Sequence, residues 1–316
     1  MLESAWPHMS DEAGEVNILE VADWRLPDVA FLAAFRLPAK TGEGRLARAN
    51  LFPRERRVSF DEKSHTYTID GIVAPRSVTG LLHAYADPFD PARAIASMRS
   101  GGEWQERRAE LEVVGVNVDR AEDIMEHWRF AGDVARARGT LLHFHAEQAA
   151  NSRRIEEPHS PEFAQVLLLF REFTDRAWTP YRAELNIFHC GLRCAGQPDL
   201  LCKNAAGHLV IIDWKRASKL PFDNPFGTLR YPFLHLPSSS YWLYAMQLNT
   251  YRFFLETEYD MNVDSMWLGL VHPKLSAPRL VAVPRLDDEM ATLLEHEISN
   301  GRAAPSTPLN APFALL

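Results

Sequence analysis

The chain has 316 residues, 46% of them hydrophobic, so it can bury a full core as one large domain or as a domain with an appended lobe. No apolar run approaches the roughly 18 to 20 residues of a membrane span, and the first residues lack the basic-then-apolar order of a secretory signal. We therefore expect a soluble, intracellular protein that does not act at a membrane.

Charge is distributed unevenly along the chain. Residues 1–30 carry seven acidic side chains against Arg25 alone, which accounts for most of the formal net charge of −8 and argues against a mitochondrial transit peptide. This acidic segment is a candidate site for a protein partner. The next segment is basic, and is either a solvated surface or a patch that contacts phosphates; its cations are Arg36, Lys40, Arg45, Arg48, Arg54, Arg56 and Arg57.

A hairpin and a short helix are the first elements predicted along the chain. Residues 56–73 alternate and turn at Asp70-Gly71, a dipeptide favoured in hairpin turns. Ser77 or Thr79 can cap a helix that stops before Pro88.

The rest of the chain predicts a helical lobe followed by a mixture of strands and helices. The lobe covers about 91–148, with interruptions at Gly101-Gly102 and around 113–118. Helices follow at 161–178, 241–259 and 286–299, and strands at 182–190, 192–203, 208–215, 264–273 and 279–284. We expect an α/β fold with an N-terminal extension over 1–55, a main domain over 56–300 that includes the lobe, and a Pro/Ala-rich tail over 301–316.

The cysteines indicate a reducing compartment. Cys190, Cys194 and Cys202 lie on or near predicted strands and form neither a disulfide framework nor a paired CxxC arrangement. A zinc site is disfavoured because the spacing is irregular and strand alternation already explains it.

Charged side chains stand at the ends of two apolar runs, in the sequence AGQPDLLCKNAAGHLVIIDWK. If these runs pair as antiparallel strands, the turn at NAAG brings Asp199 towards Asp213, and alternation puts Asp213 and Lys215 on one face. Two carboxylates and a lysine can share a divalent cation and a water. A structural salt bridge between Lys215 and one aspartate is the alternative.

Two helical pairs have the same ambiguity. His143 and Glu147 are four residues apart and share a helix face. This spacing fits a metal site, and it equally fits an ordinary surface pair. Gln247 and Tyr251 have the same spacing and could bind a phosphate or a base, or could be ordinary residues of an amphipathic helix.

Taken together and in order, these segments resemble the PD-(D/E)XK nucleases of the RecB-like group. The matching segments are GTLLH with Glu147, Glu184 in RAELNIF, GQPDLL, IIDWK and QLNTY, and VAPRSVTGLL resembles a segment that precedes the helical part in these enzymes. The motif order is close to that of mitochondrial genome maintenance exonucleases and related phage and large-virus exonucleases. The similarity spans about 58–273 and implies a restriction-endonuclease-like core, with a central mixed β-sheet flanked by helices.

The resemblance also implies a role for each matching residue. His143, Asp199, Asp213 and the backbone carbonyl of Trp214 would bind Mg²⁺ or Mn²⁺, and Lys215 would orient or activate the attacking water. Gln247 and Tyr251 would position the substrate or Lys215. Glu184 would reach the metal through a water molecule, and Glu147 would orient His143 or a basic neighbour.

Departures from the family pattern concern one substrate contact and one cofactor. Arg216 follows the lysine where relatives often have threonine, so a phosphate contact is expected to differ there; Arg138 in the lobe is a second candidate substrate-binding residue. No cysteine lies before Cys190 or after Cys202, so we expect no iron–sulfur cluster.

These features predict a metal-dependent DNA exonuclease that acts on single-stranded ends or flaps in replication, repair or recombination. The arginines and the aromatic residues Trp104, Trp128 and Phe130 of the lobe could cover the active site and admit one strand, although helical aromatic residues are more often core. The alternatives are an endonuclease of a defence or mobile-element system, and a catalytically silent nucleic-acid-binding or assembly subunit.

Overall fold

The computed structural model describes residues 23–37, 44–62, 64–153, 155, 159–225 and 227–303. Contacts between Cα atoms divide the chain into two compact units. Of the described residues, the larger unit contains those within 44–87 and 142–303, and the helical unit contains 23–37 and 88–141. Most of the acidic segment, and the tail from 304 onwards, lie outside the described residues.

Helices and strands have the following bounds. The strands are β1 (Val58–Asp61), β2 (Thr66–Ile69), β3 (Ile72–Val73), β4 (Arg76–Ser77), β5 (Thr179–Ala183), β6 (Ile187–His189), β7 (Cys194–Gly196), β8 (Leu200–Lys203), β9 (Leu209–Arg216), β10 (Val263–Val271) and β11 (Arg279–Val283). The α-helices are α1 (Asp28–Ala34), α2 (Arg45–Ala49), α3 (Val78–His83), α4 (Pro91–Ser100), α5 (Trp104–Val113), α6 (Ala121–Ala150), α7 (Pro161–Asp175), α8 (Ser240–Glu258) and α9 (Asp287–Ser299).

A mixed sheet forms the centre of the larger unit. Within the described residues its strand order is β11-β10-β9-β8-β5, and only the β9–β10 pair is parallel. Helix α8 connects these two strands, as a parallel pair requires a crossover. The fold is therefore α/β, with a central mixed sheet flanked by helices, as the sequence predicted.

Alternation along β9 separates two apolar cores. Ile211 packs into a cluster that includes residues of α3, α8 and α9. Val210, Ile212 and Trp214 point the other way, into a cluster that includes α7 and the end of α6. Because both faces are covered, β9 is apolar almost throughout, and only its last two residues are partly exposed.

Two of the predicted strands are each broken. The segment 182–190 divides into β5 and β6, and 192–203 divides into β7 and β8, so that β5 and β8 join the central sheet while β6 and β7 form a small sheet with β4. The breaks occur at Glu184, whose φ is +51°, and at Pro198, which has no N–H for a ladder. Both breaks lie beside the candidate site.

The N-terminal signals are confirmed. Asp70-Gly71 joins β2 to β3 with positive φ at both residues, as a tight hairpin turn requires. The Ser77 side chain caps α3 by accepting a hydrogen bond from the Gly80 N–H at 3.0 Å.

The long loop 220–239 is anchored by buried side chains. Leu229, Phe233 and Leu236 are buried in the core of the larger unit. Thr228 and Pro237 form an isolated antiparallel bridge. Packing therefore holds much of this loop in place although it has no regular secondary structure.

The helical unit has its own small core. Ile95, Leu111, Val118 and Ile124 are buried there, and Trp104 and Trp128 pack against that cluster, so these tryptophans serve as core residues. Arg138 packs over the Phe31 ring at 4.3 Å and pairs with Asp28. The unit thus recruits residues from the predicted N-terminal extension and ends at Leu141, before the predicted lobe boundary.

Among the described residues, no helix is both long enough and apolar enough to cross a membrane.

His145 of α6 gives a prediction about acid stability. The side chain is buried, neither ring nitrogen has a hydrogen-bond partner among the described residues, and burial lowers the pKa of His145 to about 4. Between this pKa and the ordinary value near 6.5, the unfolded chain binds more protons than the folded chain, so the free energy of unfolding decreases as the pH is lowered. Between pH 7 and 4.5, His145→Leu should therefore lose about 2 kcal/mol less free energy of unfolding than the wild type, as measured by urea unfolding. An unchanged pH dependence would contradict this assignment.

Candidate metal and catalytic site

The β8–β9 hairpin brings the two aspartates together. Leu200 pairs with Ile212 in antiparallel register, so Asp199 and Asp213 are the next residues beyond this pair on the two strands. Asp199 is 9% exposed and Asp213 1% exposed. Burying two carboxylates side by side is costly unless cations or donors compensate.

A histidine and a second acid lie beside Asp199. Ligand atoms of His143, Glu184 and Asp199 all lie within 4.8 Å of one another, close enough to hold one metal ion. His143 is supplied by α6, and Glu184 by the kink between β5 and β6. The predicted ligands His143 and Asp199 therefore lie side by side. Glu184 was expected to reach a metal only through water, but its carboxylate lies as close to these two side chains as a direct ligand would.

Asp199 connects this cluster to β9. One carboxylate oxygen, Oδ2, accepts a hydrogen bond from the Trp214 N–H at 2.7 Å, and the other, Oδ1, lies 3.2 Å from His143 Nδ1. Burial disfavours the charged form of Asp199, but His143 and Lys215 hold its pKa below the ordinary value. Burial also disfavours protonation of His143, whereas Asp199 and Glu184 raise the His143 pKa to about 9.

Asp213 pairs with the lysine instead. Lys215 Nζ lies 2.5 Å from Asp213 Oδ2, yet this buried oxygen has no well-aligned hydrogen-bond donor among the described residues. Burial raises the pKa of Asp213 to about 6, with Lys215 opposing the shift. Although burial disfavours the ammonium, Asp213 and Asp199 raise the pKa of Lys215. At neutral pH Lys215 is therefore a cation and a hydrogen-bond donor.

The lysine also contacts two side chains of α8. Its Nζ lies 3.4 Å from Gln247 Oε1 and 4.4 Å from the centre of the Tyr244 ring. Gln247 Nε2 in turn donates to the Tyr251 hydroxyl at 2.9 Å. The predicted positioning of Lys215 by Gln247 fits this geometry. The sequence reasoning missed Tyr244, although it lies three residues before Gln247 and hence on the same helix face.

The other predicted site residues are placed as follows. Arg216 points away from Lys215, and its Nε donates to Glu162 at 2.7 Å. Arg138 belongs to the helical unit and binds the Trp24 carbonyl at 2.9 Å as well as Asp28. Glu147 follows His143 by one turn of α6. The roles of these residues, and of the Trp214 carbonyl as a ligand, stay predictions.

The described part of the basic segment makes structural contacts. Arg54 pairs with Glu258 at 2.6 Å and Arg57 pairs with Asp70 at 2.6 Å. Arg45 donates to the Ala150 carbonyl at 3.5 Å. Acidic or carbonyl groups of the protein itself thus engage these three arginines, a role that neither the solvated surface nor the phosphate patch predicted; Lys40 lies outside the described residues.

The cysteine residues in the structure are free thiols, with Cys194 and Cys202 buried and Cys190 exposed.

Gly196 of β7 yields a prediction that connects packing to the site. A Cβ at this position would lie 2.6 Å from Tyr251 Cε1 and 2.9 Å from Val78 Cγ2, inside their contact distances. Gly196→Ala should therefore displace Tyr251 from Gln247 and destabilise the fold by about 1–3 kcal/mol in chemical unfolding. Gly132→Ala is the control, because a Cβ on this exposed residue of α6 meets nothing within 4 Å and should stabilise the helix. Equal stabilities for the wild type and Gly196→Ala would contradict the close approach.

Comparisons with known proteins leave the function to be argued from this geometry. No family model matches the chain, and no curated protein matches it. Among solved structures, the crystal structure of SSO0001 matches 59% of this chain and 70% of its own, at 13% sequence identity and a TM-score of 0.25. A likeness this weak supports no statement about fold or activity.

Proposed function

We propose that this chain is a metal-dependent nuclease with a PD-(D/E)XK-like core, which hydrolyses phosphodiester bonds at the ends of single-stranded DNA. The observation that carries the proposal is the burial of Asp199 and Asp213 at adjoining positions of the β8–β9 hairpin, with His143 and Glu184 beside Asp199 and Lys215 beside Asp213. A purely structural ion pair would need one aspartate and one lysine. The additional acid and imidazole are explained by a cation.

The donor set fits a hard divalent cation such as Mg²⁺ or Mn²⁺. Carboxylate oxygens are the ligands these ions prefer, and an imidazole is compatible with Mn²⁺. The ligand atoms of His143, Glu184 and Asp199 lie within 4.8 Å of one another, a spacing that one ion can bridge. His143, Asp199, Asp213 and Glu184 would hold the ion, with the Trp214 carbonyl as a further candidate. A bound cation would polarise the phosphate and stabilise charge that develops in the transition state.

The side chains themselves would orient the reactants. Lys215 is held by Asp213, Gln247 and Tyr244, and as a cation it can donate a hydrogen bond to a water or to a phosphate oxygen. In its charged form it would position the water and would not remove its proton. Hydrolysis adds water across one P–O bond, so one product carries a hydroxyl and the other a phosphate monoester.

Single-stranded DNA ends are the substrate that the motif resemblance favours. The order of segments around His143, Glu184, Asp199, Asp213 and Gln247 resembles that of RecB-like exonucleases, and this order supports a role in replication, repair or recombination. The pairing of β8 with β9, followed by α8 and the parallel strand β10, is compatible with such a core.

The test is cleavage of end-labelled linear and circular single-stranded DNA of the same sequence, with Mg²⁺, Mn²⁺ or a chelator. We expect metal-dependent loss of the linear strand only, because an exonuclease needs an end. Cutting of the circle would indicate an endonuclease instead. If neither strand is cut under any metal condition, the protein is a binding or assembly subunit and the proposed activity is wrong.

A further inference from the structure

Phe222 exposes an aromatic ring on the loop that follows the candidate catalytic strand. Its side chain is 45% exposed, and its ring centre lies 4.1 Å from that of Tyr241, the second residue of α8. The Tyr241 ring is buried and packs in turn against Trp242, with 5.2 Å between the ring centres. One face of Phe222 is therefore supported by protein, and part of its surface remains open to solvent.

Hydrogen bonds hold the backbone around Phe222 in place. Its carbonyl accepts a hydrogen bond from the Ser239 hydroxyl at 3.0 Å, and the Asn224 amide donates to the Ser238 carbonyl at 2.6 Å. The preceding carbonyl, of Pro221, accepts from the Tyr241 N–H at 3.4 Å. An exposed phenylalanine in a loop anchored at both sides loses little further conformational freedom when it binds a flat partner.

Two tyrosines of α8 relate this ring to Lys215. Tyr241 and Tyr244 are three residues apart on α8, so their Cβ atoms are about 5–6 Å apart on one helix face. The Tyr244 ring lies 4.4 Å from Lys215 Nζ. The loop itself leaves β9 directly after Arg216, and its first residue, Ala217, donates a hydrogen bond to the Val271 carbonyl at 3.1 Å. Phe222 therefore lies on the segment that leads from the strand of Lys215 into α8, seven residues after the lysine.

We propose that Phe222 is a base-stacking site for an unpaired nucleotide of the strand whose phosphate Lys215 contacts. This inference rests on the proposed nuclease function and adds to it a physical basis for choosing single strands. A base in a duplex has its faces covered by its neighbours and is not free to lie on the ring. Stacking on an aromatic ring tolerates every base, because each has a π face.

The experiment separates stacking from general loss of binding. Affinities for a short fluorescent oligothymidylate, for the same strand with abasic sites, and for a duplex are measured by anisotropy with Ca²⁺ in place of Mg²⁺, alongside cleavage in Mg²⁺. Phe222→Ala should weaken binding of the intact strand by roughly 5- to 100-fold and Phe222→Trp should preserve it. The abasic strand should bind the wild type and Phe222→Ala equally, since the base is one partner of the pair.

Leu234→Ala is the matched control, because Leu234 is an apolar residue of the same loop that is 58% exposed. It should bind the intact strand as the wild type does. Equal loss of affinity for intact and abasic strands in Phe222→Ala, or no loss at all, overturns the stacking site even if the wild type cleaves DNA. A wild type that neither binds nor cleaves any strand overturns the proposed function and this inference together.

Discussion

Lys215→Met is expected to slow cleavage of linear single-stranded DNA by roughly 100- to 1,000-fold, with the main loss in kcat. The substitution keeps the length of the side chain but removes the cation that lies 2.5 Å from Asp213. Cleavage rates at saturating DNA and Mg²⁺, compared between wild type and variant, measure this effect. Lys219→Met is the control, because Lys219 is an exposed lysine outside the site.

A second variant separates this loss from misfolding. Without Lys215, Asp213 is an uncompensated buried carboxylate, and the variant should be less stable at pH 7.5 than at pH 5.5 relative to wild type, since protonation removes the charge. The double variant Asp213→Asn/Lys215→Met buries a neutral pair and should recover stability without recovering activity. Activity in a well-folded double variant would show that neither residue acts in the reaction.

Asp199→Asn is expected to weaken Mn²⁺ binding by at least roughly 100-fold, beyond the 10- to 100-fold loss typical when only a supporting partner of a ligand is removed. The amide keeps an oxygen for the Trp214 N–H but loses the charge that holds His143. Isothermal titration with Mn²⁺ measures this effect without reference to activity. Glu184→Gln tests the third acid of the site in the same assay: a large loss indicates direct coordination, and a small loss indicates contact through water.

The protonation of His143 should make Mn²⁺ affinity depend on pH. Despite the opposing effect of burial, Asp199 and Glu184 raise the pKa of His143 to about 9, and a histidine must be neutral to bind a metal. Mn²⁺ affinity in the wild type should therefore increase as pH rises from 7 towards 9, with proton release. The same affinity in wild type and Asp199→Asn would place the metal elsewhere.

The central part of the site could be predicted from short-range features. The NAAG turn and the two apolar runs predicted the β8–β9 hairpin, and a hairpin leaves little freedom in which residues lie opposite one another. Strand alternation then placed Asp213 and Lys215 on one face. The spacing of Gln247 and Tyr251 likewise predicted their contact, because residues four apart meet on a helix.

Other features depended on parts of the chain that are distant in sequence. The breaks at Glu184 and Pro198 separate β5 from β6 and β7 from β8, since these strands pair in two different sheets. Local alternation is the same on both sides of such a break, so the pattern predicted continuous strands. The resulting kink places Glu184 beside His143 and Asp199.

The sequence alone determined the α/β fold class, the hairpin that carries Asp199 and Asp213, and the helix face that carries Gln247. These features arise from turns and from the 2.0 and 3.6 residue periods, which act over a few residues. Tertiary structure decided which charges pair, namely His143 with Asp199, Lys215 with Asp213 and Arg216 with Glu162, and it placed the Tyr244 ring beside the Lys215 ammonium. Burial and neighbouring charge, which are properties of the packed chain, also set the directions of the pKa shifts of His143, Asp199, Asp213 and Lys215.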